Sequence, residues 1–240
     1  RSRGLGDVYK RQDMSASTLI DKKILIDVPN GIVKHIKKLG YNTGEIESIL
    51  ITHLHGDHFF DIPFFMFDRY FQKNDNLVCI YCPKGTKEKV KLLFDIGFPG
   101  DFDRINHAIN VKFVEFDGES KIEGKDFVAY SKYVKHGNFE PAYGYIITLN
   151  NKKIGFSGDS KFCNAIENIV EETDISILDM SHAQNVSPAH MGIEDIKYLC
   201  NKYKNKTIIS THMHEYTKGQ ALRLNIKNFI VGKDNLKISI

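Results

Sequence analysis

The sequence has few cysteines, no long apolar run and little net charge. Its 240 residues include four cysteines, which are too few and too scattered for a disulfide-stapled fold. No run of 18 apolar residues occurs, which excludes a membrane-spanning helix. With 42% hydrophobic and 26% charged residues, the composition is that of a globular protein.

The net charge of +3 comes entirely from residues 1–12, RSRGLGDVYKRQ, which contain four basic residues and one acidic residue. Residues 13–240 are therefore neutral, and the pI of about 8.5 does not indicate nucleic-acid binding. The first segment has no apolar periodicity and resembles translated adapter sequence. We expect residues 1–12 to be non-native and residues 13–240 to form a single domain whose native N-terminus is missing.

Cys79 and Cys82 form a single CxxC motif. A zinc site of this type needs a second pair of ligands, and the other two cysteines, Cys163 and Cys200, stand alone. The residues around Cys79 are typical of a buried strand. We therefore predict that the cysteines are structural thiols.

The hydrophobic pattern predicts strands that alternate with helices along most of the chain. In the first half, we expect strands at residues 23–28, 49–51, 77–81 and 111–116 and helices at 32–39, 61–71 and 87–94. In the second half, we expect strands at 127–134, 143–149, 153–156, 175–178, 207–210 and 236–240 and helices at 162–170 and 193–203. Asn150-Asn151 is typical of a tight turn. Two successive runs of strands and helices indicate two sheets with helices on their outer faces.

The strongest chemical signal is the segment THLHGDH at residues 52–58, directly after a predicted strand. Alternate residues of an extended segment point the same way, so His53 and His55 can share one metal ion. Gly56 permits a bend, after which Asp57 and His58 turn toward a second position. Imidazole and carboxylate ligands of this kind suit Zn²⁺, Mn²⁺ or Fe²⁺.

Further ligand candidates follow later strands. His136, Asp159 and His212 each lie just beyond an apolar run, where open sheets place their functional groups. Each of these residues taken alone is typical of a surface or capping position. In combination with the HxHxDH segment, they are predicted to be metal ligands.

These features resemble the metallo-β-lactamase superfamily from about Lys22 to His212. The similarity to its ribonuclease Z and phosphodiesterase branch is carried by HG at 136–137, YGYI at 143–146, FSGD at 156–159 and SPAH at 187–190. The resemblance implies an α+β fold, a four-layer αββα sandwich with a two-metal site between its sheets. The usual opening strands are expected to be absent from this chain.

The resemblance also implies a role for each motif residue. The first metal would be held by His53, His55 and His136, the second by Asp57, His58 and His212, and Asp159 would bridge the two. Asp27 would orient a ligand histidine through a hydrogen bond. The residues expected to act in catalysis are Asp57, Asp159 and His190, the last as the acid that protonates the leaving oxygen. The implied cofactors are two divalent ions, with Zn²⁺ expected and Mn²⁺ or Fe²⁺ as alternatives.

Two departures from the branch keep alternatives open. The long basic arm of the tRNA-processing enzymes is absent, because only a turn separates Ile147 from Ile154, so tRNA 3′ processing is not expected as the main activity. Met191-Gly192 replaces a small polar pair after His190, and His182 therefore competes for the acid role. The remaining histidines are predicted to be exposed or locally satisfied; these are His35, His107 and His214.

Two local clusters have less specific interpretations. Six phenylalanines between residues 59 and 71 are predicted to be mostly core, with one or two lining a substrate cleft; these are Phe59, Phe60, Phe64, Phe65, Phe67 and Phe71. Four lysines between residues 84 and 91 are predicted to form a solvated helix face rather than a nucleic-acid groove; these are Lys84, Lys87, Lys89 and Lys91.

Three functions remain at this point. The first is a two-metal phosphodiesterase or nuclease that cleaves RNA or a small nucleotide diester through a metal-bridging hydroxide. The second is a lactone or thioester hydrolase of the same fold, and the third is a non-catalytic metal-binding protein. The expected partner is a small-molecule or RNA substrate. We expect no membrane association and infer no protein partner, and a homodimer is an alternative to a monomer. The default location is cytoplasmic.

Overall fold

The computed structural model describes residues 17–239. The predicted non-native segment, residues 1–12, lies outside the described residues. The described chain divides into two compact units, an N-terminal unit that ends at Ser120 and a C-terminal unit that begins at Lys121. Within the described residues, no helix combines the length and the apolar character that a membrane crossing requires.

The N-terminal unit contains a five-stranded sheet in the order β1-β2-β3-β4-β5. Its strands are β1 Thr18–Ile20, β2 Ile24–Ile26, β3 Ser48–Leu50, β4 Val78–Pro83 and β5 Val111–Phe116. β1 and β2 pair antiparallel, and the remaining pairs are parallel. Its helices are α1 Ile32–Lys38, α2 Gly56–Phe59, α3 Ile62–Phe71, α4 Thr86–Gly97 and α5 Asp101–Ala108, with a 3₁₀ turn at Thr43–Glu45.

Parallel strands covered on both faces are mostly apolar, which explains the apolar residues 24–26 of β2 and 49–50 of β3. Ile49 and Ile51 are fully buried, and they belong to a core that includes Ile62 and Phe65 of α3 and Phe94 of α4. This packing fixes the end of β3, from which residues 51–54 continue without regular secondary structure to His55, the extended residue before α2.

The C-terminal unit contains a seven-stranded sheet in the order β12-β11-β10-β9-β8-β7-β6. Its strands are β6 Lys121–Glu123, β7 Val128–Tyr133, β8 Tyr143–Leu149, β9 Lys152–Phe156, β10 Ile175–Asp179, β11 Thr207–Thr211 and β12 Phe229–Val231. Its helices are α6 Asn164–Glu172, α7 Ile193–Lys202 and α8 Glu215–Ala221. The predicted turn at Asn150-Asn151 joins β8 to β9, and both residues have the positive φ, 50° and 60°, that a two-residue hairpin turn requires.

Most predicted elements are present within a few residues of their expected ends, and two sheets with helices are confirmed. The strand predicted at 236–240 is wrong, because residues 236–239 are irregular and Phe229–Val231 pairs with β11 instead. Residues 101–108, for which no helix is predicted, form α5, and His107 lies on this helix. The four cysteines are free; Cys82 and Cys200 are buried, and Cys79 and Cys163 are half-buried.

The phenylalanine cluster is less buried than predicted. Phe59 and Phe65 belong to the core, and Phe67 is half-buried against it. The other three are exposed; these are Phe60, Phe64 and Phe71. Half of the predicted cluster therefore faces solvent along α2 and α3.

Candidate metal centre

The first two histidines of the HxHxDH segment lie together in the N-terminal unit. His53 Nε2 is 3.1 Å from His55 Nδ1, and the two rings meet edge to face with centroids 4.8 Å apart. Zinc–nitrogen bonds of about 2.0–2.1 Å place two nitrogens of one tetrahedral ion about 3.3 Å apart. The observed separation is close to that value, so the two side chains can converge on one ion.

The last two residues of the segment occupy the first turn of α2. His58 is buried and its ring centroid lies 4.1 Å from that of His53. The Asp57 side chain is 50% exposed, and its Oδ2 lies 3.8 Å from His58 Nε2. The whole motif thus presents three imidazoles and one carboxylate from a single loop and helix turn.

Asp27, directly after β2, supports this cluster from behind. Its Oδ2 accepts a hydrogen bond from His58 Nδ1 at 2.8 Å, and its Oδ1 accepts one from the Thr52 backbone nitrogen at 2.8 Å. Because the carboxylate accepts from Nδ1, Nε2 of His58 is the nitrogen that can bind a metal. Asp27 has φ 58°, a left-handed conformation that is uncommon for a residue other than glycine.

The candidates in the C-terminal unit meet at one edge of its sheet. β7 and β9 are each antiparallel to β8, while β9, β10 and β11 are mutually parallel, so these four strands run in the same direction. Their carboxyl ends therefore share an edge, where the chain places His136, Asp159 and His212. Asp159 Oδ2 lies 3.9 Å from His136 Nε2 and 3.3 Å from His212 Nε2.

The orientation of His136 is fixed by the backbone. Its Nδ1 lies 3.1 Å from the carbonyl oxygen of Ala189, and a carbonyl can only accept a hydrogen bond. Nδ1 therefore carries the proton, and Nε2 is directed toward Asp159. Gly137 has φ 57°, and a Cβ there would lie 3.3 Å from the Ala189 side chain, so glycine suits this close approach.

His190 lies within the same cluster. Its ring stacks on His212 with centroids 5.3 Å apart and lies 4.9 Å from the His136 ring. Its Nδ1 donates to Asp179 Oδ2 at 2.7 Å. Burial of the imidazole by itself lowers the pKa of His190, but the hydrogen bond and charge of Asp179 outweigh it, so the pKa is raised above its usual value.

His182 has a different environment. Its ring lies 5.9 Å from that of His190 and 5.3 Å from that of His214. Within the described residues, no carboxylate contacts the His182 ring, so it lacks the support that Asp179 gives to His190. His214 is exposed as predicted, and burial of part of its ring and the neighbouring His182 lower its pKa.

Sequence reasoning missed Asp179, the last residue of β10. Its side chain is fully buried and accepts from the backbone nitrogens of Ser160 and Ser181 at 3.1 and 2.9 Å, in addition to His190. One of its oxygens lies within 4.8 Å of ligand atoms of Asp159 and His212, and its hydrogen-bond donors hold the carboxylate in place. The strand-end position that singled out Asp159 could have found it.

The chain has sequence relatives among ribonuclease Z proteins. It is 28% identical over 135 residues to ribonuclease Z of Pyrococcus horikoshii, which covers 56% of this chain and 41% of that protein. It is 30% identical over 155 residues to ribonuclease Z of Oceanobacillus iheyensis, which covers 62% of this chain and 48% of that protein. The chain therefore spans less than half the length of these curated relatives.

Solved structures share its fold. Human tRNase Z, short form (ELAC1), superposes with a TM-score of 0.72 at 18% identity over 96% of this chain and 93% of that one. A diphosphatase from the PhnP family superposes with a TM-score of 0.71 at 22% identity, over 95% of this chain and 85% of that one. YhfI from Bacillus subtilis, a metallo-β-lactamase fold protein, superposes with a TM-score of 0.69 at 17% identity, over 88% of this chain and 84% of that one. The predicted metallo-β-lactamase fold, in its ribonuclease Z-like branch, is confirmed.

A family model matches nearly the whole chain. Its description is anti-Pycsar protein Apyc1, and the match extends over residues 4–233.

Proposed function

Because this chain belongs to the anti-Pycsar protein Apyc1 family, we propose that it is a metal-dependent phosphodiesterase that cleaves small nucleotide diesters. The observation that carries the proposal is the Asp179-supported His190 beside Asp159 and His212. A lactone or thioester hydrolase of this fold has no need of a leaving-group acid. Ribonuclease Z relatives and the tRNase Z fold are consistent with phosphoryl chemistry.

The ligand assignment follows the sequence prediction. The first ion is assigned to His53, His55 and His136, the second to Asp57, His58 and His212, and Asp159 is assigned to both. The donor chemistry fits, because the histidines present nitrogen donors and the acids oxygen donors that Zn²⁺, Mn²⁺ and Fe²⁺ accept. When bound, two such ions lower the pKa of water and neutralise charge on the phosphoryl group.

His190 supplies the proton in this proposal. Its Nδ1 is bonded to Asp179, so Nε2 is the atom that can donate to the leaving oxygen. The raised pKa keeps the imidazole protonated closer to neutral pH. An alkoxide that leaves a phosphodiester is strongly basic and therefore benefits from this proton. Asp159 is buried near His136 and His212, and we assign it a second role as a proton relay.

The short β8–β9 connection favours a small substrate over tRNA. Only Asn150 and Asn151 join the strands, where tRNA-processing members of the branch are expected to carry a basic arm. The predicted lysine face is also poorly suited to bind an RNA phosphate backbone, because two of its lysines lie near acidic residues. Lys84 lies 3.6 Å from Asp117, and Lys91 lies 3.6 Å from Asp103. Surface pairs of this kind are screened by solvent and leave little net positive potential.

The test compares substrates on the metal-loaded chain. Protein loaded with Zn²⁺ or Mn²⁺ is assayed on bis(p-nitrophenyl) phosphate, on cyclic nucleotides, on single-stranded RNA and on a precursor tRNA, with His55→Ala as the inactive control. We expect metal-dependent turnover of the first two classes. Preferential cleavage of single-stranded RNA or precursor tRNA would contradict the substrate proposal, and no turnover of any of these phosphodiesters by the metal-loaded chain would contradict the phosphodiesterase proposal.

We also propose that the chain forms a homodimer through an aromatic surface on α3 and α4. Phe64 and Phe71 are 50% and 74% exposed, and the half-buried rings of Phe67 and Phe98 connect them. Aromatic rings of this kind form the cores of interfaces, and a two-fold axis would place the same surface on both copies. Light scattering should give a dimer for the wild type and for Tyr216→Asp, an exposed aromatic elsewhere, but a monomer for Phe64→Asp with Phe71→Asp. A monomeric wild type would refute the homodimer proposal.

A further inference from the structure

Two candidate metal ligands lie beside hydroxyl groups that bond buried carboxylates. In the N-terminal unit, Thr52 Oγ1 lies 2.8 Å from Asp27 Oδ2 and 3.1 Å from His53 Nδ1. In the C-terminal unit, Ser181 Oγ lies 3.1 Å from Asp179 Oδ1 and 2.6 Å from His212 Nδ1. Both hydroxyl residues are buried, at 1% exposure each. The same chemical arrangement therefore occurs once in each unit.

The protons of the first arrangement can be assigned from hydrogen-bonding capacity. A hydroxyl has one proton to donate, and an ionised carboxylate can only accept. Thr52 therefore donates to Asp27, and the oxygen lone pair of Thr52 faces His53. It follows that His53 Nδ1 carries a proton, and in a neutral imidazole Nε2 then carries none. This Nε2 is the atom 3.1 Å from His55 Nδ1.

The second arrangement leads to the same assignment. Besides Asp179, the Ser181 hydroxyl lies 2.9 Å from the carbonyl oxygen of His212 itself, and both of those groups can only accept. The hydroxyl proton goes to one of them, so Ser181 accepts from His212 Nδ1. The unprotonated Nε2 then lies 3.3 Å from Asp159 Oδ2. Thr217 holds the serine in place by donating to its backbone oxygen at 2.8 Å.

We propose that Thr52 and Ser181 are positioning residues that fix the Nδ1-protonated tautomers of His53 and His212, so that Nε2 is presented to the metal. The inference rests on the ligand assignment of the proposed function. A neutral imidazole otherwise chooses between two tautomers, and only one of them leaves Nε2 able to bind a cation. The hydroxyls remove that choice, and each does so through a carboxylate that also orients a second histidine, His58 or His190.

The test uses the full chain and four single variants. We call the Thr52 and Ser181 hydroxyls relays, because each connects a carboxylate to a histidine. Thr52→Val and Ser181→Ala each remove a relay hydroxyl, whereas Thr52→Ser keeps it. The matched control is Ser210→Ala, because Ser210 is buried on β11 and its hydroxyl has no hydrogen-bond partner in the described part of the chain. Two quantities are measured, the Zn²⁺ dissociation constant by competition with a chelator and the histidine tautomers by ¹⁵N long-range correlation NMR.

Loss of a group that supports a metal ligand typically weakens metal binding by 10–100-fold. We expect Thr52→Val and Ser181→Ala to weaken Zn²⁺ binding by about tenfold or more, while Thr52→Ser and Ser210→Ala stay within about twofold of wild type. In both relay variants, the Nδ1-protonated signal of the neighbouring histidine should be lost or mixed with the other tautomer. Unchanged tautomers in Thr52→Val and Ser181→Ala would overturn the proposal, as would an equal loss in Ser210→Ala.

The NMR readout separates this inference from the ligand assignment. If wild type binds no metal, the assignment fails, but the tautomers of His53 and His212 in the same sample still decide the inference. Nδ1 protonation that depends on the two hydroxyls supports the relays even then. Nε2 protonation in wild type refutes them.

Discussion

Replacing His190 with alanine should affect substrates according to how much their leaving group needs a proton. His190 Nδ1 is held by Asp179 at 2.7 Å, which leaves Nε2 as the donor atom. The leaving alkoxide of a nucleotide diester is a strong base and gains from protonation as its bond to phosphorus breaks. p-Nitrophenolate is a weak base that departs without help.

The expected magnitude follows from what a positioned acid contributes. General acid catalysis accounts for about 10²–10⁴-fold in rate when the donor is held in place and its pKa is near the working pH. Asp179 anchors the His190 ring and raises its pKa, so the donor is held in place and stays protonated to higher pH, while the side chain stays 18% exposed. We expect His190→Ala to lower kcat on a cyclic nucleotide by about 10²–10³-fold, which corresponds to about 3–4 kcal/mol of barrier. The loss on bis(p-nitrophenyl) phosphate should be less than about tenfold.

The assay measures kcat for both substrates with wild type, His190→Ala and the neighbouring-ring control His182→Ala, each at matched metal content. We expect the control to behave as wild type on both substrates. Equal losses on the two substrates in His190→Ala would refute the acid role, because a structural or metal-binding defect does not depend on the leaving group. If His182→Ala instead shows the large loss on the cyclic nucleotide and the small loss on bis(p-nitrophenyl) phosphate, the acid is His182.

Three further outcomes are expected. Asp179→Asn removes the interactions that raise the pKa of His190, and because the acid must be protonated, the alkaline fall in kcat on a cyclic nucleotide should move to lower pH. Arg69 is fully buried and donates to backbone oxygens of the 43–46 turn without a carboxylate contact in the described residues. Arg69→Met leaves those buried oxygens without their donor and should lower the free energy of unfolding in urea by about 1–3 kcal/mol. Burial raises the thiol pKa of Cys82 to about 12 and that of Cys200 to about 11, so a thiol reagent at pH 8 should label only the two half-buried cysteines until the protein is unfolded.

The sheet framework could be predicted because its strands are short apolar runs bounded by turn residues. β5 and β8 have the predicted ends, and the Asn150-Asn151 turn fixes the β8–β9 register. The end of the chain was harder to predict, since Phe229–Val231 and residues 236–240 are both short apolar segments. Pairing with the exposed edge of β11 decides between them, and that contact is tertiary.

The candidate site also contains residues that could be predicted from the sequence and residues that could not. Histidines and acids at strand ends could be predicted because metal chemistry restricts residue type and the sheet restricts position. Asp179 was missed because β10 was expected to end at Leu178, one residue early. The roles of Thr52 and Ser181 could not be predicted, since a hydroxyl becomes a relay only when a distant carboxylate and an imidazole lie on either side of it.

The two units orient their histidines by the same arrangement, and the one difference between them bears on function. In each, a buried carboxylate bonds one histidine directly and another through a hydroxyl, with Asp27 serving His58 and Asp179 serving His190. The His58 side chain is 1% exposed, whereas that of His190 is 18% exposed. A ring sealed from solvent is suited to permanent coordination, while a ring that keeps access to solvent can exchange a proton with a substrate and recover it. Equivalent hydrogen bonding with unequal exposure thus favours a ligand role for His58 and an acid role for His190.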